Sequence, residues 1–211
     1  MTVALLTVLV VGYLIGCIHG SNAAQILSGV NLKKAGHGNA GASNATLSLG
    51  WKYGILVGLI DIGKGIFAIL LFRFILNDYF SFTDSEISIL LYLTGAAVIL
   101  GHNFPIHMKF RGGKGTASLI GIFIALDWKI GLIGLLVLIF VSLITNYLII
   151  GVFVLYAIFV ISALIIEPSI WPSIISFLLF LIAFYLHKEN MKRMRHGTEP
   201  KITSAIKKKS K

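Results

Sequence analysis

Negative charge is scarce in this sequence. Eight Asp and Glu stand against eighteen Lys and Arg in 211 residues, and charged residues of both signs make up only 12% of the chain. A soluble domain carries roughly 25% charged residues, so a water-soluble globule is excluded. Cysteine is scarcer still. Cys17 stands alone, which excludes an internal disulfide and a cysteine-based zinc site. No Lys or Arg precedes Lys33. The apolar start MTVALLTVLVVGYLIGC therefore lacks the cationic region of a secretory signal, and it reads as a first transmembrane helix, not as a leader ending at Cys17.

What the sequence does contain is apolar. Hydrophobic residues make up 57% of it, in runs near 2–27, 53–76, 86–101, 116–126, 130–146, 148–166 and 170–186. Several approach the ~20 residues that cross a bilayer as a helix. They are continuous and not alternating, which argues against a β-barrel. The expected fold is all-α: a polytopic membrane protein with about seven transmembrane helices. It forms a single integral membrane domain over 1–211 with a basic tail at 203–211. The fourth run is short, and only Thr145, Asn146 and Tyr147 separate the fifth from the sixth, so six spans is the alternative. Gly54 and Gly58 form a GxxxG pair, the pattern of a close helix–helix contact.

The net charge of +10 is distributed by segment. Segment 28–52 carries Lys33, Lys34 and Lys52; segment 102–115 carries Lys109, Arg111 and Lys114; the end of the chain is Lys- and Arg-rich. The alternate connections carry Asp78, Asp84, Glu86, Asp127 and Glu167. Cationic loops stay in the cytoplasm, so the amino terminus is expected outside and the carboxyl terminus inside. This pattern fits topology, and membrane lipid and not nucleic acid is the expected partner of the basic tail.

Three polar regions then share one face: GHGNAGASN at 36–44, GHNFPIHMKFRGGKGT at 101–116 and HKENMKRMRHGTEPK at 187–201. In the second, a glycine-rich turn leads into a helix. Backbone amides, a helix N-terminus and cations make such a turn a phosphate cradle. Its candidates are Arg111, Gly112, Gly113, Lys114, Gly115 and Thr116. It is not a Walker A loop, since Met108 stands at the first glycine position and Gly115 follows Lys114. His37, Asn39, Ser43 and Asn44 are candidates for holding a second polar substrate. His187 and Asn190, three apart, share a helical face, and Glu199 accepts hydrogen bonds or orients a cation. Asp61 and Lys64 also share a face, inside a span. Ionisable groups there are functional candidates by default, and a structural ion pair beside the active cavity is the alternative. His102 and His107 flank Pro105 without a metal-ligand spacing, and HExxH and GxSxG are absent. Ile106 stands four residues after His102, where a His-x4-Asp acyltransferase would carry its acid. No metal, cofactor or covalent intermediate is expected.

These three motifs in order, together with the DIGKG of residues 61–65, resemble the acyl-phosphate-dependent glycerol-3-phosphate acyltransferases of bacteria, the PlsY family. The resemblance implies seven spans and an external amino terminus in the bacterial cytoplasmic (inner) membrane, with the site on the cytoplasmic side. It implies acyl phosphate as donor, glycerol 3-phosphate as acceptor and lysophosphatidic acid as product. It places donor phosphate at Gly112–Gly115 and the acceptor at His187 and Asn190, with Lys114, His187 and Asn190 as catalytic candidates. Either His187 or a phosphate oxygen of the substrate takes the hydroxyl proton. His37, Leu47, Asn146 and Ile149 depart from the family pattern, which puts Ser, Arg, Arg and Ser there. Two alternatives stay open: another acceptor, or a non-catalytic phosphate- or lipid-binding membrane protein or transporter.

Overall fold

The structure, a computed structural model, describes residues 1–207; Lys208, Lys209, Ser210 and Lys211 of the expected basic tail lie outside the described residues. Among the described residues the only regular secondary structure is helical. Exposed apolar side chains such as Val3, Leu59, Phe140 and Ile165 project from the long helices, as they do in a protein solvated by lipid.

The chain divides into two compact units, Met1–Asp127 and the remainder from Trp128. The first opens with α1 (Thr2–Gly16) and α2 (Gly20–Ser28). They are one apolar stretch of 27 residues, interrupted at Cys17-Ile18-His19 where a single helix was expected. α3 (Ala42–Leu49) and α4 (Trp51–Tyr79) follow, then α5 (Asp84–Asn103) and α6 (Thr116–Leu126). Thr83 and Glu86 close a reciprocal capping box at the start of α5, which satisfies two amides that the helix itself cannot. α1 packs on α5 and α4 packs on α6. The α1–α5 crossing needs glycine: a Cβ at Gly16 would meet the Val98 carbonyl, and one at Gly101 would meet that of Tyr13. The GxxxG pair packs as expected, with Gly54 against Thr46 and Gly58 against Ala42, both on α3. Ala24, Leu32, Ala45 and Val57 form a small core that fixes the 29–41 connection onto α2, α3 and α4.

The second unit holds α7 (Trp128–Thr145), α8 (Leu148–Ile166), α9 (Trp171–Leu186), α10 (Lys188–Arg195) and α11 (Ile202–Lys207). α7 packs on α8, α8 on α9, and α9 on α10. α9 and α10 meet at His187 with a 50° bend.

All seven apolar runs are helical, but they are not equal. Among the described residues five stretches are long and apolar enough to cross a membrane, or six if the bent α9–α10 pair is one span. The exception is α6. Its 11 residues rise about 16 Å, roughly half the ~30 Å hydrocarbon core. The expectation of about seven spans therefore resolves into six candidates and one short apolar helix.

Candidate active site

The segment between α5 and α6 folds back on the helix it leaves. After Pro105 comes a single 3-10 turn, Ile106–Met108. Lys109 and Phe110 then take left-handed backbone angles, φ 54° and 58°, uncommon for residues with side chains. The turn is held by hydrogen bonds from the Phe110 amide to Pro105 O (3.0 Å) and from the Arg111 amide to Met108 O (3.2 Å). The Tyr13 hydroxyl donates to Phe104 O at 2.7 Å.

This arrangement redistributes the roles of the phosphate-cradle candidates. The Gly112 amide donates to Asn103 O (2.9 Å) and the Gly113 amide to His102 O (3.0 Å). Both amides dock the loop onto the end of α5 and are not turned toward an anion. The donors left to the cradle come later. Gly115 adopts φ 82° and starts α6 with no side-chain cap. The first α6 bond runs from Leu119 N to Gly115 O, so the amides of Thr116, Ala117 and Ser118 have no acceptor within the helix. Lys114 stands half-buried immediately before them, and Arg111 is exposed. The Asn103 side chain lies against Gly115. Both of its polar atoms are buried without a hydrogen-bond partner, as is the Ser118 hydroxyl. Buried polar groups are normally paired, and these three atoms lack a partner within the protein.

Asn44 is also recast. It is buried, and its amide nitrogen donates to Leu32 O (2.9 Å), Ala35 O (3.0 Å) and Asn39 O (2.8 Å). Its oxygen accepts from the His37 amide at 2.8 Å. It holds the 32–44 loop together from within and is not available to an acceptor. Asn39 braces the same loop through the Gly41 amide (2.8 Å), while His37 and Ser43 are exposed on it. Lys33 ties this loop to the other, donating to Met108 O at 3.0 Å. A cavity of about 240 Å³ opens beside that link, lined by Asn22, Gln25, Asn31, Lys33 and His107 among others. No motif in the sequence marks these residues as a lining. Only the cationic character of the loops hints at them.

Asp61 and Lys64 do form an ion pair, with Nζ to Oδ1 at 3.0 Å and both side chains buried. Lys64 also donates to Gly16 O (2.9 Å) and Ile18 O (2.6 Å), at the α1–α2 break. His102 Nδ1 lies 2.7 Å from Lys64 Nζ and 3.5 Å from Asp61 Oδ1. His19 stacks on His102 with ring centroids 4.6 Å apart. His19, Asp61 and His102 bring donor atoms within 4.8 Å of one another, a spacing that suits a metal ion and that the separated residues did not advertise in the sequence. The ammonium of Lys64 stands among these donors as their cation.

In the second unit His187 is buried at the α9–α10 bend. Its Nδ1 lies 2.8 Å from Ala183 O. A carbonyl can only accept, so Nδ1 carries a proton, and in the neutral ring Nε2 holds the lone pair. Phe153 packs edge-on to the ring at 5.8 Å. Asn190 donates to Glu199 Oε1 (2.6 Å) and Arg193 to Glu199 Oε2 (2.7 Å). Asn146 holds the segment at Thr203. It donates to Thr203 Oγ1 and accepts from the Thr203 amide, both at 3.0 Å.

Against known proteins, the family model for glycerol-3-phosphate acyltransferases matches residues 6–197. The chain belongs to the glycerol-3-phosphate acyltransferase family. It is 47% identical over 199 residues to "Glycerol-3-phosphate acyltransferase 1" of Oceanobacillus iheyensis, covering 94% of this chain and 95% of that protein. It is 35% identical over 210 residues to a glycerol-3-phosphate acyltransferase of Thermus thermophilus, covering 98% of each. A crystal structure of PlsY (YgiH), an integral membrane glycerol 3-phosphate acyltransferase in its glycerol 3-phosphate form, superposes with a TM-score of 0.82 at 28% identity. That match covers 94% of this chain and 95% of the solved one. The lysophosphatidic acid form of PlsY matches with a TM-score of 0.79. Fold class and membrane embedding thus follow the family.

Proposed function

We propose that this chain acylates the 1-hydroxyl of glycerol 3-phosphate, using an acyl phosphate and releasing lysophosphatidic acid and inorganic phosphate. The observation that carries this reading is the end-to-end match to a solved acyltransferase that takes glycerol 3-phosphate in one form and lysophosphatidic acid in another.

The α6 N-terminus is the seat for the donor phosphate. The first-turn amides aim partial positive charge at one point, Lys114 adds a full charge, and the unpartnered Asn103 amide and Ser118 hydroxyl lie beside them. An acyl phosphate is a mixed anhydride with a good leaving group, so positioning and charge stabilisation suffice. Well-oriented reactants gain about 7 to 11 kcal/mol from positioning. The hydroxyl oxygen attacks the acyl carbon directly, the carbon–oxygen bond to phosphate breaks, and the departing phosphate leaves against Lys114 and the α6 amides. The Nε2 lone pair of His187 suits it to accept the hydroxyl proton, Asn190, three residues on, is a further acceptor contact, and Glu199 supports Asn190 through their 2.6 Å hydrogen bond. His37, Asn39 and Ser43 offer further polar contacts from the first loop.

The three cationic segments face the cytoplasm in this proposal, with the amino terminus opposite. The short α6 then has a consequence. If it carries the chain across, the GGKG loop before it enters the membrane. Non-helical backbone at that depth must line a protected polar cavity, which suits a reaction that excludes water.

Purified protein in nanodiscs, supplied with acyl phosphate and glycerol 3-phosphate, is expected to form lysophosphatidic acid, read by mass spectrometry; phosphate release without that product overturns the reading. One observation favours a different acceptor. The Asn146 side chain, which the family resemblance would put at the acceptor, is engaged with Thr203. Leu47→Arg should tighten glycerol 3-phosphate binding if that is the acceptor, as calorimetry would show; turnover restricted to other alcohols supports the second reading.

A further inference from the structure

The reaction as proposed leaves the buried Asp61–Lys64–His102 group without a task. Its geometry fixes one proton. The Lys64 ammonium has four neighbours: Gly16 O at 2.9 Å, Ile18 O at 2.6 Å, Asp61 Oδ1 at 3.0 Å and His102 Nδ1 at 2.7 Å. An ammonium only donates. Its three N–H groups are shared among these four partners, and at 2.7 Å a proton on Nδ1 would press against the ammonium, while Asp61 Oδ1, the acceptor competing for such a proton, is 3.5 Å away; the neutral ring therefore turns its lone pair to Lys64 and carries its proton on Nε2. That nitrogen lies directly under the loop, since a Cβ at Gly113 would overlap it. The loop closes on the same residue from above, through the Gly113 amide and the His102 carbonyl. His19 covers a face of the imidazole at 4.6 Å with the ring planes 20° apart.

We propose that Lys64 is a positioning residue: an internal, tethered cation that locks His102 in its Nε2–H form and so sets the height and register of Gly113 and, one residue on, of Lys114. The proposal rests on the acyl-transfer reading for its kinetic part only. Asp61 offsets the ammonium charge and is itself aligned by the Gly20 amide at 3.3 Å. The α1–α2 break is part of the device, because it supplies two carbonyls that an unbroken helix would keep for itself. His19 restrains ring rotation by stacking. Its two nitrogens have no hydrogen-bond partner, so shape and not hydrogen bonding is its contribution.

The test uses the full chain in nanodiscs with 15N-labelled histidine and glycine. The wild-type protein should show His102 protonated at Nε2 and unprotonated at Nδ1. The Asp61→Asn/Lys64→Met double variant keeps neutrality and volume but removes the ammonium. It should give a mixed His102 tautomer, a shifted Gly113 amide, and a loss of about 10²-fold in kcat/KM for acyl phosphate, the size that a misplaced contact produces. KM for the acceptor should hold. A His102 protonated at Nδ1 in the wild type overturns the proposal, as does a double variant with native donor kinetics. If that variant does not fold, the pair His19→Phe and His19→Ala decides: the stacking Phe should keep donor KM closer to wild type than Ala, and equal effects count against positioning. A wild-type protein that shows the Nε2–H tautomer but no acyl transfer would sink the reaction and leave the tautomer assignment standing.

Discussion

His102 and His187 occupy similar places. Each is buried where a long apolar helix runs out into a polar segment. Each turns Nδ1 to a close polar neighbour, yet the two contacts are opposite in kind. His102 faces an ammonium at 2.7 Å, and His187 faces a carbonyl at 2.8 Å. The first partner can only donate and the second can only accept. His102 therefore turns a proton toward the GGKG loop, and His187 keeps its lone pair on Nε2. One imidazole supports and the other is equipped to take a proton. The partner on the inner nitrogen assigns the role, not the residue type or its burial.

The comparison can be broken from either side. The largest effect is expected at the residue that His102 supports. Lys114→Ala should lower kcat/KM for acyl phosphate by about 10² to 10³, the usual cost of a lost charge-stabilising donor. Steady-state kinetics with unchanged donor constants would remove the loop from the mechanism. Next comes His187→Ala, with an expected fall in kcat of about 10². A retained kcat would transfer the proton to a phosphate oxygen of the substrate and leave His187 a structural role like that of His102. Gly113→Ala places a methyl group on the His102 ring. The overpacking should cost about 1 to 3 kcal/mol, seen as a lower thermal midpoint together with a raised donor KM. A native melting curve would mean that loop and ring are not in contact. The smallest effect is expected between α7 and α8. Asn146→Ala removes the clamp on Thr203 and should cost about 1 kcal/mol, with acyl transfer kept if that position no longer contacts substrate.

The helical membrane class was legible because apolar run length is a local property, and six of the seven runs became single helices while the first became two. The break at Cys17-Ile18-His19 was not legible. Nothing local demands it, and its reason lies in α4, where Lys64 takes the freed carbonyls. The glycine-rich loop was legible as a turn entering a helix, but the direction of its amides was not. Gly112 and Gly113 look like anion donors in one dimension and prove to be docking groups once α5 is beside them. Asn44 misled for the same reason. An amide in a Gly-rich loop reads as a ligand until the carbonyls of Leu32, Ala35 and Asn39 close around it. His19 carried no motif at all and emerged only when residues from three helical segments came together.

The sequence alone determined that this chain lives in a membrane, that it is helical, which family it joins and which loops hold its polar groups. These follow from composition, run length and ordered motifs, all read along the chain. The tertiary structure decided which polar atoms are engaged and which are left over, and so which proton each histidine carries. Hydrogen-bond partners 38 to 48 residues apart meet only when helices pack, and short-range directional forces then choose among residues that the sequence leaves equivalent.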